Sequence, residues 1–201
     1  MVDTPGTREK LLEAAINVID AGGMKTLRVR DIAAKAGVKE PSVYHFFGSK
    51  DGLVEAAQAQ RYTRGLLHLT QVFDELVRKC QDKESFISTI RTVTTAVFAE
   101  DRAIVRAVRA DVLGSAMSRP ALKEAVAQAQ RTSHNLLNST LSFAKSQGWV
   151  RPELDTMAFA VWYTGMVNGR LVYEIDPEQC SGKAWNELAV NVTISTLCDN
   201  A

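Results

Sequence analysis

The sequence predicts an all-α fold of about nine helices. Three observations carry that prediction. Apolar residues recur at alternating steps of three and four along nearly the whole chain of 201 residues. Five prolines and twelve glycines are too few for a turn-rich all-β fold. Most of those prolines and glycines fall between the apolar stripes, where helices begin and end.

The first helix has Thr4 or Thr7 as a candidate cap and Pro5 suited to a first turn. Leu11, Leu12, Ala15, Ile16 and Ile19 then recur at helical spacing until Gly22-Gly23 stops the run. A second, short helix fits Arg30 to Ala36, with Gly37 as its stop. A third opens on Pro41 and closes on Gly48. Ser49 is placed to cap a long fourth helix, on which Leu53, Ala57, Tyr62, Leu66, Leu69, Phe73 and Leu76 form the stripe. Gln81-Asp82-Lys83 breaks it.

Phe86, Ile90, Val93 and Val97 mark a fifth helix. A sixth runs from about Arg102 to Leu113, followed by a loop over Gly114 to Arg119. Ser118 and Pro120 open a seventh that ends near Gly148. After a connector at Trp149 to Pro152, Asp155 caps an eighth to about Tyr173. The ninth runs from about Lys183 to Cys198. Thr92 to Val97 and Val192 to Thr196 are rich in β-branched residues, which favour strands. Each lies inside a longer pattern of helical period, so both are assigned to helices. The expected organisation is a three-helix head over residues 1–50 and a larger helical body over 51–201.

Composition narrows the function classes. The chain is 46% hydrophobic and 23% charged, as globular proteins are. Net charge is +1, but the first fifty residues carry eight basic and six acidic side chains, so the head is mildly basic. Cys80, Cys180 and Cys198 are widely spaced and odd in number, which points to a reducing, cytoplasmic setting. The start, Val2 to Gly6, has no apolar secretory core. The longest charge-free run, Thr156 to Gly169, falls short of the roughly 20 residues needed to span a bilayer. No nucleophile–base pair, glycine-rich phosphate loop or metal-ligand spacing is present, so neither an enzyme nor a metal or other cofactor is expected.

Three short helices with a tight turn at Gly37 describe a helix-turn-helix. In that geometry the second helix of the pair enters the DNA major groove, its first residues facing the bases. The stretch Val38 to Lys50 divides accordingly. Val43 and Phe47, four apart, face the core of the head. Ser42, Tyr44 and His45 fall on the other side, where hydroxyl and imidazole groups bond phosphates or base edges. Lys50 starts the next helix, where its charge and the free backbone N–H groups favour a phosphate.

Two runs then carry a resemblance. Thr26-Leu-Arg-Val-Arg-Asp-Ile-Ala-Ala-Lys-Ala-Gly-Val38 and Pro41-Ser-Val-Tyr-His-Phe-Phe-Gly-Ser-Lys-Asp-Gly-Leu53 resemble the DNA-binding region of the TetR family of bacterial repressors. The match covers about residues 7 to 55 and includes Ile32-Ala33, Gly37-Val38, Tyr44, Phe47, Lys50 and Leu53. The resemblance implies a homodimer whose two heads bind successive major grooves of a palindromic operator on double-stranded DNA. It also implies a small-molecule effector in the body that releases the DNA. Carried over, Arg30 reaches a base or phosphate. Lys39, Glu40, Pro41 and Ser42 form the groove-facing end of the recognition helix. Tyr44, His45 and Lys50 hold backbone phosphates or a nearby base. The chain departs from the family pattern in three places. Arg28 replaces a frequent Ser or Thr cap, the aromatic–histidine order is changed at His45-Phe46, and Glu40 is acidic in the groove.

In the body, an effector site needs an apolar concavity with a few polar groups. The candidates are His68, Thr94, His134, Asn138, Tyr163 and Asn168. Arg102, Arg106 and Arg109 share one face of the sixth helix. Ion pairing or solvation is their expected role, with Asp101 and Asp111 as local partners and an anionic ligand as the alternative. The eighth helix is apolar on nearly every side, and Gly165 and Gly169 allow close backbone approach. With Trp162 on that helix and Trp185, Leu188 and Val192 on the ninth, this predicts a two-fold, four-helix interface between two copies. The leading reading is a ligand-released repressor with no membrane partner. The rivals are a ligand-responsive activator, a helical adaptor with a decayed head, and a helical enzyme.

Overall fold

The computed structural model describes residues 6–198. Within them every regular element is a helix: α1 Thr7–Gly22, α2 Val29–Lys35, α3 Pro41–Phe47, α4 Lys50–Val77, α5 Lys83–Val97, α6 Ala103–Ala116, α7 Pro120–Ser146, α8 Thr156–Ile175 and α9 Gly182–Leu197. Short 3-10 turns occupy Met24–Thr26 and Glu100–Arg102.

Side-chain caps account for four of the nine helix starts among the described residues. Ser49 Oγ accepts from the Gly52 N–H at 2.9 Å. Asp82 accepts from Ser85 N–H at 2.8 Å, and Ser85 Oγ in turn accepts from the Asp82 N–H. Asp155 accepts from both Met157 and Ala158, and Ser181 from Ala184. Three details depart from the sequence reading. Thr7 is the first residue of α1 and not its cap; Gly6 holds that place, its N–H donating to Glu9 Oε2 at 3.1 Å. Thr4 and Pro5 lie outside the described residues. The sixth helix continues through Gly114 to Ala116, because no proline intervenes before Pro120. Ser118 does not cap α7; its hydroxyl donates back to the Ser115 carbonyl.

The two β-branched runs are helical. In α9, Thr193 and Thr196 donate their hydroxyls to the carbonyls of Ala189 and Val192, which satisfies a polar β-branched side chain inside a helix.

The chain divides into two compact units. The first comprises the chain up to Thr63 together with Val112–Val126. The second comprises Arg64–Asp111 and the chain from Ala127 onward. The divisions fall within α4, α6 and α7. In the first unit, Leu11, Ala15, Ile19, Leu27, Ile32, Val43, Leu53 and Ala57 make the core. Two polar contacts brace it. Arg61 pairs with Asp20 at 2.6 Å, tying α4 to α1. The fully buried Gln58 donates to Met24 Sδ at 3.0 Å.

In the second unit, Phe73, Phe86, Ile90, Phe98, Leu141, Phe159 and Leu197 anchor the core. Trp149, assigned to a connector, is buried between Phe86 and Phe143 at ring distances of 5.7 and 6.1 Å. No helix among the described residues is long and apolar enough to cross a membrane.

Candidate functional site

In the head, α2 and α3 are joined by a turn that needs Gly37. Its φ of +69° lies in the left-handed region, and the Val38 N–H returns to the Ala33 carbonyl at 2.9 Å. The absence of a Ser or Thr at position 28 has the expected consequence. Arg28 occupies the N-cap of α2 and makes no side-chain cap bond. Pro41 sits in the first turn of α3, where no N–H is required. Glu40 precedes it with helical backbone angles and no cap bond from its carboxylate.

Val43 is fully buried and Phe47 packs on the same core, so the opposite side of α3 faces outward. Arg30, Lys39, Glu40, Pro41, Tyr44, His45 and Lys50 are exposed, and Ser42 is half-buried. Arg30, Lys39 and Lys50 make no ion pair among the described residues. The resulting surface carries one carboxylate, three free cations, a phenol and an imidazole. Two further exposed side chains belong to it. Phe46 is outward and meets His45 edge-on at 4.9 Å. Arg28 is exposed at the start of α2. The spacing of Phe46 off the Val43–Phe47 stripe is the sequence signal that marks it. Arg8 of α1 lies over the Phe47 ring at 5.4 Å, and holds the end of α3 from the other side.

The body contains a cavity bounded by α4, α5, α7, α8 and α9, by α6, and by Arg102 just before it. It offers about 80 Å³ to the centres of water-sized molecules, against the ~10–15 Å³ that one water needs. Leu66, Phe73, Val93, Leu137, Phe159 and Val167 supply much of its apolar wall.

Of the six effector-site candidates, Thr94 and Tyr163 line this cavity. The Tyr163 hydroxyl donates to Thr94 Oγ1 at 3.3 Å, and burial raises its pKa to about 12, so the phenol is neutral. The other four do not line it. His68 faces solvent on α4. His134 Nε2 engages Thr164 Oγ1 at 3.0 Å behind the wall. Asn138 Oδ1 accepts from Thr156, and Asn168 is half-buried with its Oδ1 unpartnered. Helical periodicity places polar residues on a face but does not say which faces converge.

Arg102, Arg106 and Arg109 do line the cavity. Arg106, at 1% exposure, donates to the carbonyls of Val97 and Ala99 at 2.8 and 3.0 Å and to Glu174 Oε1 through Nε at 2.8 Å. Its carboxylate partner is thus on α8, not at Asp101 or Asp111. Arg109 donates to the Gly65 carbonyl. Gly65 lets α6 approach α4: a Cβ there would meet Val105 at 3.0 Å.

On the outer side of α8, Val161, Trp162, Val172 and Ile175 are exposed, with Gly165 and Gly169 between them. Val172 is 77% exposed and Leu188 of α9 is 64% exposed. A Cβ on either glycine would meet nothing within 4 Å. Val192 is half-buried. Trp185 departs from the predicted face. Its ring packs edge-on against Phe98 at 4.8 Å and under the Arg170 guanidinium, so it belongs to the body's own core.

Comparison with known proteins agrees with this architecture. Residues 11–57 match the profile of the bacterial regulatory proteins of the tetR family. The HTH-type transcriptional regulator BetI of Stenotrophomonas maltophilia is 46% identical over 56 residues, 28% of this chain and 29% of that protein. The match therefore spans less than a third of that curated relative. A TetR-family transcriptional regulator from Rhodococcus sp. has the same fold, with a TM-score of 0.69 at 20% identity over 95% of this chain and 98% of its own. A transcriptional regulator from Saccharomonospora viridis, solved in complex with choline, gives a TM-score of 0.67 at 16% identity over 96% and 98%. The amino-terminal signature of that family thus lies in residues 11–57, and the fold of TetR-family regulators extends along nearly the whole chain.

Proposed function

We propose that the protein is a homodimeric, ligand-released transcriptional repressor. Its heads, residues 1–50, read double-stranded DNA through α3. Its body, residues 51–201, binds a small molecule and pairs the two copies. The observation that carries this reading is the outward face of the head. Tyr44, His45, Arg30, Lys39 and Lys50 are exposed there, and none of them makes a side-chain hydrogen bond or ion pair among the described residues. Free cations supply the phosphate attraction, and the first turn of α3 meets the bases.

The apolar stripe of Val161, Trp162, Val172 and Leu188 supports the homodimer, because so large an exposed patch is stable in water when a second copy covers it. Two heads then meet half-sites about 34–36 Å apart on one palindromic operator. The cavity beside α6 supports the effector site. Action on DNA places the protein in the cytoplasm, and no step of this function needs a catalytic group or a cofactor.

The test is selection of bound duplex fragments from the source genome by the full chain, followed by footprinting. A palindromic protected site upstream of a gene, occupied by two chains, is the expected result. Recovery of unrelated fragments without a shared palindrome overturns the reading.

A further inference from the structure

We infer that the cavity takes an organic acid: an apolar body ending in a carboxylate, whose charge is met by Arg102. This rests on the proposal that the cavity is the effector site. The cavity's charged wall residues are all arginines, Arg102, Arg106 and Arg109; among the described residues no Asp, Glu, Lys or His lines it. Behind Arg106, carboxylate charge is scarce. Glu174 serves Arg106 and also stands 3.4 Å from the Nε of Arg170, so one carboxylate is shared between two buried guanidiniums. The crowding is felt at Arg170. Burial first, and the charge of Arg106 second, lower its pKa. A cation entering this cavity would add to the excess; an anion relieves it.

Arg102 is the side chain free to do so. It is half-buried at the wall and makes no side-chain hydrogen bond or ion pair among the described residues. Arg106, by contrast, is committed to two carbonyls and Glu174. The hydroxyls of the wall are mostly occupied with one another: Tyr163 with Thr94, and Thr70 with Ser133 at 3.0 Å. A ligand rich in neutral polar groups would find few partners. The remaining wall is aliphatic and aromatic, and it suits a hydrocarbon body. A planar guanidinium binds a carboxylate through two parallel N–H donors.

Calorimetry on the full chain tests this with decanoate, dodecanoate and 4-phenylbutanoate against decanol, dodecanol and decyltrimethylammonium. The acids are expected to bind and the alcohols to bind about tenfold more weakly. Arg102→Met should weaken the acids by about tenfold and leave the alcohols unchanged, while Arg102→Lys should restore part of the loss. Leu137→Trp fills the cavity and should abolish all binding; Thr164→Phe serves if that variant does not fold. If alcohols or the cation bind as tightly as the acids, or Arg102→Met leaves acid affinity unchanged, the acid assignment falls. In that outcome, a loss of binding in Leu137→Trp keeps the cavity as the effector site. If no probe binds, or the filled variant binds like the wild type, the acid assignment and the cavity's role both fall.

Discussion

The α-carbon of Gly52 lies so close to the carbonyl oxygen of Phe47 that no side chain fits between them. A Cβ at position 52 would come within 3.0 Å of that oxygen, a distance real Cβ atoms essentially never show. The contact joins the end of α3 to the first turn of α4, and Ser49 closes the same corner by capping the Gly52 N–H. The corner therefore sets the angle at which Tyr44 and His45 face outward relative to Lys50.

Gly52→Ala is expected to force this corner open. Overpacking against backbone costs about 1–3 kcal/mol. A first unfolding transition in urea at lower midpoint, with operator affinity reduced, is the predicted outcome. An unchanged midpoint and unchanged affinity would show that the corner yields freely.

The fold was legible because its signals are local. Period-3.6 stripes set the helices, and Asp155 and Ser49 mark starts by side-chain geometry that involves only the next three residues. The division of α3 into a buried Val43 side and an exposed Tyr44–His45 side followed from the same period. The cavity was legible only in part. Arg106 finds its carboxylate 68 residues away at Glu174, and Tyr163 finds Thr94 from 69 residues away. Spacing along the chain cannot encode such meetings. Trp185 was misplaced for a related reason: an apolar residue on a helix stripe packs inward on Phe98 or outward on a second copy, and one sequence does not distinguish the two.

Glu174 balances Arg106 and Arg170, both at 1% exposure. Glu174→Gln keeps the shape and removes the charge, leaving two guanidiniums without a counter-ion. Loss of one partner from a buried pair costs about 3 kcal/mol. Urea unfolding measures it; a loss of about 1 kcal/mol or less would place the pair among ordinary surface bridges.

His134 gives the body a pH dependence of known sign. Burial disfavours its imidazolium and lowers its pKa from 6.5. Below that value the unfolded chain binds a proton that the folded chain resists, so stability falls as pH drops from about 7 toward 5. His134→Gln keeps a hydrogen-bonding group near Thr164 and cannot titrate. Its melting temperature is expected to vary less with pH over that range than the wild type's. Parallel pH profiles for the two proteins would refute the assignment.

The glycine-centred face of α8 should decide assembly. Gly165→Arg introduces a long, charged side chain where a Cβ now meets open space within one copy. Folding should be unaffected and the dimer lost. Light scattering is expected to report about 44 kDa for the wild type, twice the 22.1 kDa chain, and 22.1 kDa for the variant. A variant that remains dimeric would move the interface elsewhere.

The central claim is that the exposed side of α3 and the start of α4 grip the phosphates of duplex DNA. It is tested most directly by the salt dependence of affinity for the selected operator, wild type against Lys50→Ala. The account predicts that the variant binds more weakly and that its plot of log affinity against log salt is shallower by about 0.9, the value for one lost phosphate contact. An identical slope and affinity, or a wild-type protein that binds no duplex at low salt, would contradict it.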